Sequence, residues 1–123
     1  MRVYFNLFCR DIEAQHAFYR ALLGLPDLAH KRSALYCALD AGSTELGFNA
    51  APAYELLSLA ARQPPAGAPP PVTGYATFML GTPAAVESAA RATAALGGRV
   101  VKPPYATYYR ERQAVLEDPE GNV

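Results

Sequence analysis

Polar and aromatic side chains alternate with apolar ones in three short segments, and this spacing is typical of a small-molecule binding site. The segments are "RVYFNLFC", "TELGFNA" and "TGYATFML". Successive strand residues point to opposite faces, so each segment predicts one face against a helix and a second, mixed face. The residues of the mixed face are Tyr4, Asn6, Phe8, Glu45, Asn49, Tyr75 and Thr77. Polar groups among aromatic rings favour a ligand cavity.

Glu45 is the candidate charged group of this face, and its role is open at this point. It is either a strand-edge glutamate that reaches solvent or pairs with an arginine, or a cavity carboxylate that recognises a cationic or hydrogen-bonding ligand. Metal ligation is a third possibility. His16 falls on a predicted helix away from the face and His30 in a loop or short strand, so we interpret both as structural or solvated.

Aromatic and basic residues also crowd together in "PPYATYYRER". Tyr108 and Arg110 are either strand residues that pack against neighbours, or an aromatic wall beside a cation that holds a planar or anionic ligand. The segment "YYRERQAVLED" predicts a long strand, in which parity places Tyr108 and Arg110 on one face and Tyr109 on the other. Which of these faces points inward is not determined by the sequence.

Composition excludes several classes of function. The chain has 123 residues, which predicts one domain, and its 11 basic and 11 acidic residues give a net charge of zero. This balance offers no basic stripe for nucleic acid and no polybasic patch for a membrane. Cys9 and Cys37 lie in apolar runs without close spacing, which favours reduced core thiols of a cytoplasmic protein. No nucleophile with an adjacent base, glycine-rich phosphate loop or CxxC pair occurs.

The first half of the chain, residues 1–60, predicts the order strand, helix and then two or three strands. Asp11 suits the N-cap of the helix and Gly24 its C-terminal stop. A weak strand is predicted over residues 28–32. The strands "ALYCALD" and "TELGFNA" are joined by a hairpin turn at residues 40–43.

A proline-rich connector over residues 61–72 separates a second half, residues 73–123, in which the same order repeats. "TGYATFML" predicts a strand, and Thr82 followed by Pro83 begins a helix. Two strands follow, the short "RVVKPP" and the longer one described above. The turn residues of "DPEGN" then predict a further strand after Val123, so the last strand looks truncated.

Three motifs resemble the vicinal oxygen chelate superfamily, which includes glyoxalase I, the bleomycin-resistance proteins and the extradiol dioxygenases. They are "RDIEAQHAFYRALLG" after the opening strand, "TELGFNA" after the hairpin, and "LEDPEGNV" near the end. The resemblance covers the whole chain. It implies an α+β fold in which paired βαβββ modules form a half-open barrel.

In metal-using members, the resemblance implies four ligand positions. They correspond here to Tyr4, Glu45, Tyr75 and a residue beyond Val123. A phenol is a poor metal ligand near neutral pH, because it loses its proton only at about pH 10. We therefore predict no cofactor, no metal and a metal-free protein that binds and sequesters a small molecule. The alternative is a divalent-metal-dependent lyase, isomerase or dioxygenase, and a role in assembly alone is weaker. Exposed sheet edges predict a homodimer.

Overall fold

The computed structural model describes residue 1 and residues 3–123. These residues divide into two compact units, Met1–Ala68 and Pro69–Val123, and the boundary falls within the predicted connector. Among the described residues, no helix is long and apolar enough to cross a membrane.

Unit 1 (Met1–Ala68) contains a three-stranded sheet with one long helix against it. The strands are β1 (Val3–Cys9), β2 (Tyr36–Asp40) and β3 (Thr44–Ala50), in the order β1-β3-β2. Strand β3 is central; β1 runs parallel to it and β2 antiparallel. The helices are α1 (Ile12–Leu23) and the short α2 (Ala53–Leu56), with 3-10 turns at Ala29–Lys31 and Ala60–Arg62.

Helix α1 begins and ends where local sequence signals predicted. The Asp11 side chain accepts a hydrogen bond from the Ala14 amide at 3.0 Å and so satisfies one of the free N–H groups of the first turn. Gly24 closes the helix with a φ of 66°, where its amide donates to the Arg20 carbonyl. A left-handed residue at this position favours glycine, so both predicted caps are confirmed.

The core of unit 1 lies between α1 and the sheet. Leu46 and Phe48 of β3 are fully buried, and the ring of Tyr19 from α1 lies 5.5 Å from that of Phe48. The predicted direction of these two β3 side chains, towards the helix, is therefore confirmed. Phe5 was expected on the same face and remains 39% exposed, since β1 is an edge strand of the sheet.

The predicted weak strand over residues 28–32 is wrong. Only one isolated bridge forms here, between Asp27 and Leu39. The chain then turns back on itself, because the Lys31 amide donates to the Leu28 carbonyl at 2.8 Å, and a 3-10 turn follows. Local bonds of this kind use the backbone groups that a sheet ladder would need.

Unit 2 (Pro69–Val123) contains the helix α3 (Pro83–Ala95) and an antiparallel pair of strands, β4 (Arg99–Ala106) and β5 (Arg112–Glu117). Thr82 caps α3 by accepting a hydrogen bond from the Ala85 amide at 3.2 Å, as predicted. The predicted turn after β5 is also present. There Asp118 accepts from the amides of Glu120 and Asn122, and Gly121 has a φ of 91°.

Two strand predictions in unit 2 are wrong, one of them only in part. The segment "TGYATFML" is extended chain without strand pairing among the described residues. In unit 1 the corresponding strand β1 pairs with β3. A strand exists only where its backbone groups find a partner.

The long strand predicted for "YYRERQAVLED" is confirmed over β5 (Arg112–Glu117) and is wrong only for the residues before it. Its first residues form the tight turn between β4 and β5 instead, in which the Thr107 amide donates to the Glu111 carbonyl at 2.9 Å. Arg110 has a φ of 67° in this turn. The predicted face parity of Tyr108 and Arg110 therefore does not apply, since alternation holds only within a strand.

Candidate functional site

The predicted mixed face exists in unit 1, on the side of the sheet away from α1. The register pairs Tyr4 with Glu45, Asn6 with Gly47 and Phe8 with Asn49. Paired residues of neighbouring strands share a face. Strand β2 adds a residue that the sequence reasoning missed, Tyr36, which is paired with Asn49. We call this surface the unit 1 face; its polar and aromatic residues are Tyr4, Asn6, Phe8, Tyr36, Asp40, which is paired with Glu45, and Glu45 and Asn49 themselves.

Glu45 is buried at the centre of the unit 1 face. Its side chain is 1% exposed, and Lys31 forms an ion pair with its Oε2 atom. The Tyr36 hydroxyl donates a hydrogen bond to Oε1 at 2.7 Å. The strand-edge interpretation of Glu45 is therefore wrong, because β3 is the central strand and the cation is a lysine. A buried carboxylate needs such partners to offset the loss of hydration.

Lys31 reaches this carboxylate from the 3-10 turn that replaces the predicted strand. Its side chain is 30% exposed. Its Nζ atom lies 5.0 Å from the centroid of the Tyr4 ring, within the range of a cation–π contact. Sequence reasoning missed Lys31 because nothing local indicates that a residue 14 positions before Glu45 lies beside it.

Tyr36 acts as a hydrogen-bond donor in this cluster. Its hydroxyl also lies 3.4 Å from Asn6 Oδ1. Burial and the neighbouring carboxylate of Glu45 raise the pKa of Tyr36 far above its usual value. The phenol therefore stays protonated throughout the physiological range and cannot serve as a base.

Gly47 leaves the space in which Asn6 and Tyr36 meet above the central strand. A Cβ atom at this position would lie 2.1 Å from Asn6 Oδ1 and 2.4 Å from the Tyr36 hydroxyl. Any larger residue would displace one of these side chains.

An aromatic pair lies at the other end of the unit 1 face. The rings of Phe8 and Tyr54 are stacked with centroids 3.9 Å apart and an interplanar angle of 17°. Helix α2 supplies Tyr54, which the sequence analysis did not select. Asn49 is half-buried and is the register partner of Phe8.

The other predicted site residues lie in unit 2. Tyr75 and Thr77 belong to the extended segment before α3, and Tyr75 is exposed. Tyr108 and Arg110 lie in the β4–β5 turn, where Tyr108 is 97% exposed and its ring meets that of Tyr109 edge-on. The structure brings Tyr108 and Arg110 together at this turn rather than along a strand.

A second charged cluster lies on the opposite side of the sheet, beside α1. His16 is buried, and its Nε2 atom lies 2.8 Å from Asp27 Oδ1. Arg32 bonds to Glu13 at 2.6 Å, and its Nη2 atom lies 3.3 Å and 3.4 Å from the two ring nitrogens of His16. We call these four residues the helix-side cluster. The predicted position of His16, away from the mixed face, is confirmed.

The comparison with protein families settles the membership of the chain. The profile described as a glyoxalase-like domain matches residues 2–123. The chain belongs to the glyoxalase-like domain family. The predicted membership of the vicinal oxygen chelate superfamily is thereby confirmed.

Solved structures of related proteins support the same fold for this glyoxalase-like protein. A glyoxalase/bleomycin resistance protein/dioxygenase family enzyme from Burkholderia phytofirmans PsJN is 38% identical, with a TM-score of 0.84 over 97% of this chain and 91% of that one. A lactoylglutathione lyase from Agrobacterium tumefaciens is 20% identical, with a TM-score of 0.68 over 99% and 88%.

A glyoxalase-related enzyme from Fulvimarina pelagi is 16% identical, with a TM-score of 0.77 over 99% of this chain and 83% of that one. The similarity to the Agrobacterium and Fulvimarina proteins shows the fold alone, because their sequence identity to this chain is low. Together these structures confirm the predicted glyoxalase/bleomycin resistance-like fold class. No curated protein matches the sequence.

The unit 1 face of this glyoxalase-like protein does not fit a divalent metal. Tyr4, at one implied ligand position, is a phenol, and Glu45, at the other, already bonds to Lys31 and Tyr36. A metal would have to displace the ammonium and would be repelled by it. Within residue 1 and residues 3–123, no three His, Cys, Asp or Glu side chains group closely enough to hold a metal ion.

Proposed function

We propose that this glyoxalase-like protein binds and sequesters a small molecule without a metal ion. One observation carries the proposal: the carboxylate at the matched ligand position is engaged by Lys31 and Tyr36. Metal catalysis needs about three protein ligands in fixed geometry and at least one open position. Here the carboxylate at the matched ligand position, Glu45, serves an internal ion pair.

The unit 1 face offers what a binding surface for a small ligand requires. The ring of Tyr4 is 47% exposed, the amide of Asn6 is exposed, and Phe8 stacks on Tyr54 at the far end. Apolar walls with a few placed polar groups are typical of ligand sites. By the internal repeat, Tyr75 and Thr77 are further candidates, and Tyr108 with Arg110 remains a candidate for a planar or anionic ligand.

A metal-dependent lyase, isomerase or dioxygenase is the second candidate function. It is favoured by the 38% identical Burkholderia protein, which is described as an enzyme. Against it stand the raised pKa of Tyr36, which removes that phenol as a base, and the ion pair on Glu45. We infer that the relatives and this chain share a fold while the site of this chain has a different use.

Elemental analysis of protein purified without added metal distinguishes the two candidates. We expect no stoichiometric zinc, nickel, iron or manganese, and no turnover of methylglyoxal–glutathione adducts or catechols. One equivalent of metal that is lost together with activity in the Glu45→Ala variant would establish the enzyme instead. Tyr75→Phe tests the matched position of unit 2 in the same way, since a metal held by that phenol would be lost there too.

Two further properties belong to the same proposal. We infer a homodimer, because β1 leaves Val3, Tyr4 and Phe5 exposed along one edge of the sheet. Light scattering tests this, and a mass near 13.2 kDa at micromolar concentration would contradict it. We also infer a cytoplasmic location, which the buried, unbridged thiols of Cys9 and Cys37 support.

A further inference from the structure

The ion pair between Lys31 and Glu45 decides which of these two side chains a ligand at the unit 1 face meets first. The Glu45 side chain is 1% exposed and that of Lys31 is 30% exposed. Lys31 is therefore the more exposed member of the pair. A ligand that approaches the pair from solvent meets the lysine before the carboxylate, although Glu45 was the charged group that the sequence indicated.

Glu45 is poorly placed to recognise a cationic ligand. Its Oε2 atom is paired with Lys31 and its Oε1 atom accepts from Tyr36. A ligand cation would have to replace Lys31, which repels it. By contrast, an anionic oxygen in contact with the ammonium is nearer to Lys31 than to the carboxylate behind it. Because Coulomb interactions weaken with distance, the attraction exceeds the repulsion.

Tyr4 places a flat surface beside this cation. Its half-exposed ring lies 5.0 Å from Lys31 Nζ. Planar rings pack well on such a surface. The stacked pair of Phe8 and Tyr54 begins four strand residues further along, about 13 Å away, so a one-ring ligand held at Lys31 would use Tyr4.

We infer that the unit 1 face selects planar anions, namely aromatic carboxylates whose carboxylate contacts Lys31 and whose ring packs on Tyr4. This inference rests on the proposed function, since it names the class of ligand for the same site. It changes the expected ligand from a cation at Glu45 to an anion at Lys31.

Lysine-selective NMR can test the inference directly, because the chain has only two lysines, Lys31 and Lys102. Protein labelled with 13C at lysine Cε gives one set of signals from each. Lys102 is the matched control, since its Nζ atom also lies over a tyrosine ring, 3.6 Å from the centroid of Tyr105, but in unit 2. Signals are assigned from Lys102→Met and followed during titration.

The probes are benzoate, benzamide and benzamidine, which share a ring and differ in charge. We expect benzoate to shift the Lys31 signals and leave those of Lys102 in place, with an affinity about tenfold above that of the other two. Equal or tighter binding of benzamide or benzamidine at Lys31 would overturn the charge inference, whereas small-molecule binding would stand.

Two variants sharpen the test. Glu45→Gln leaves the ammonium without its opposing charge, so benzoate should bind about three- to tenfold more tightly. The double variant Lys31→Met with Glu45→Gln removes both charges of the pair together, so that the buried carboxylate is not left without its lysine. In this variant the preference for benzoate should disappear, which benzoate-observed NMR measures. Weaker benzoate binding to Glu45→Gln, or an unchanged preference in the double variant, would contradict the inference.

The two proposals can fail separately. If no probe shifts the Lys31 signals, the ligand class is wrong, and elemental analysis still decides whether the protein is metal-free. If metal is found and benzoate binds only in its presence, the proposed function fails as well.

Discussion

The two faces of the unit 1 sheet carry charged clusters that start from consecutive residues. Lys31 lies at the unit 1 face and pairs with Glu45. Arg32 belongs to the helix-side cluster and pairs with Glu13 and Asp27. Glu45 is almost fully buried, but the Glu13 side chain is 64% exposed. One sheet therefore carries an ion pair with a buried carboxylate on one face and an ion pair with an exposed carboxylate on the other.

This difference in burial predicts that the pair of Lys31 and Glu45 determines function, whereas the helix-side cluster contributes to stability. Removing the charged partner of a buried carboxylate is costly, so the unit 1 face depends on Lys31. Exposed ion pairs contribute little, so the helix-side cluster stabilises mainly through the contacts of His16 and Asp27. The following predictions test this contrast, beginning with the largest expected effect.

Lys31→Met should lower the free energy of unfolding by about 3 kcal/mol, because it removes the ammonium that pairs with the buried Glu45 carboxylate. Urea unfolding measures the change. The double variant with Glu45→Gln should recover most of the loss, since a neutral amide tolerates burial better. A loss below about 0.5 kcal/mol for the single variant would mean that water reaches Glu45 and that the pair is equivalent to the exposed one.

Gly47→Ala should lower the free energy of unfolding by about 1–3 kcal/mol. Its new methyl group must displace Asn6 or Tyr36 from the unit 1 face. Gly74→Ala is the matched control, since an added Cβ there meets nothing within 4 Å. The tyrosine absorbance at high pH gives a second measurement. If Tyr36 moves away from Glu45, its raised pKa should fall towards the ordinary value. An unchanged titration would argue against that contact.

Asp27 should make the stability of the helix-side cluster depend on acid. Burial raises its pKa, but the hydrogen bond from His16 and the charge of Arg32 outweigh this, so the pKa of Asp27 lies below the ordinary 3.8. A lowered folded-state pKa adds stability above the unfolded value, and this stability disappears as the pH falls through the folded value. The loss should therefore occur below about pH 4.

Unfolding in urea between about pH 2.5 and 7, which includes the range in which carboxylates titrate, measures this contribution when the protein is compared with Asp27→Asn. The variant should show a shallower decline with acid. Identical pH profiles would show that Asp27 has no altered pKa in the folded protein.

Glu13→Gln should change the free energy of unfolding least, by no more than about 0.5 kcal/mol, because the ion pair between Glu13 and Arg32 is exposed and screened by salt. The same urea measurement, made at low and high salt, checks it. A loss comparable to that of Lys31→Met would remove the contrast between the two faces.

Local signals explain what the sequence could predict. Asp11, Gly24 and Thr82 are caps whose chemistry acts within one helical turn, and they were predicted correctly. The faces of β1 and β3 followed from a period of two. Tyr36 could also have been found, since the hairpin at residues 40–43 fixes its pairing with Asn49.

Non-local contacts explain what the sequence could not predict. Lys31 meets Glu45 only because a 3-10 turn replaces a strand, and backbone bonds between distant segments decide that outcome. The β4–β5 turn was also missed, because Arg110 takes a positive φ without glycine. The segment "TGYATFML" has strand composition, but composition does not supply a partner strand.

A manganese titration tests most directly whether Glu45 belongs to an internal ion pair or to a metal site. Mn²⁺ is paramagnetic and broadens the NMR signals of nearby nuclei, and both lysines can be observed through 13C at Cε. The account predicts that Mn²⁺ broadens the signals of Lys31 and Lys102 to the same small extent. Selective loss of the Lys31 signals at stoichiometric Mn²⁺, reversed by chelator and absent in Glu45→Gln, would contradict it.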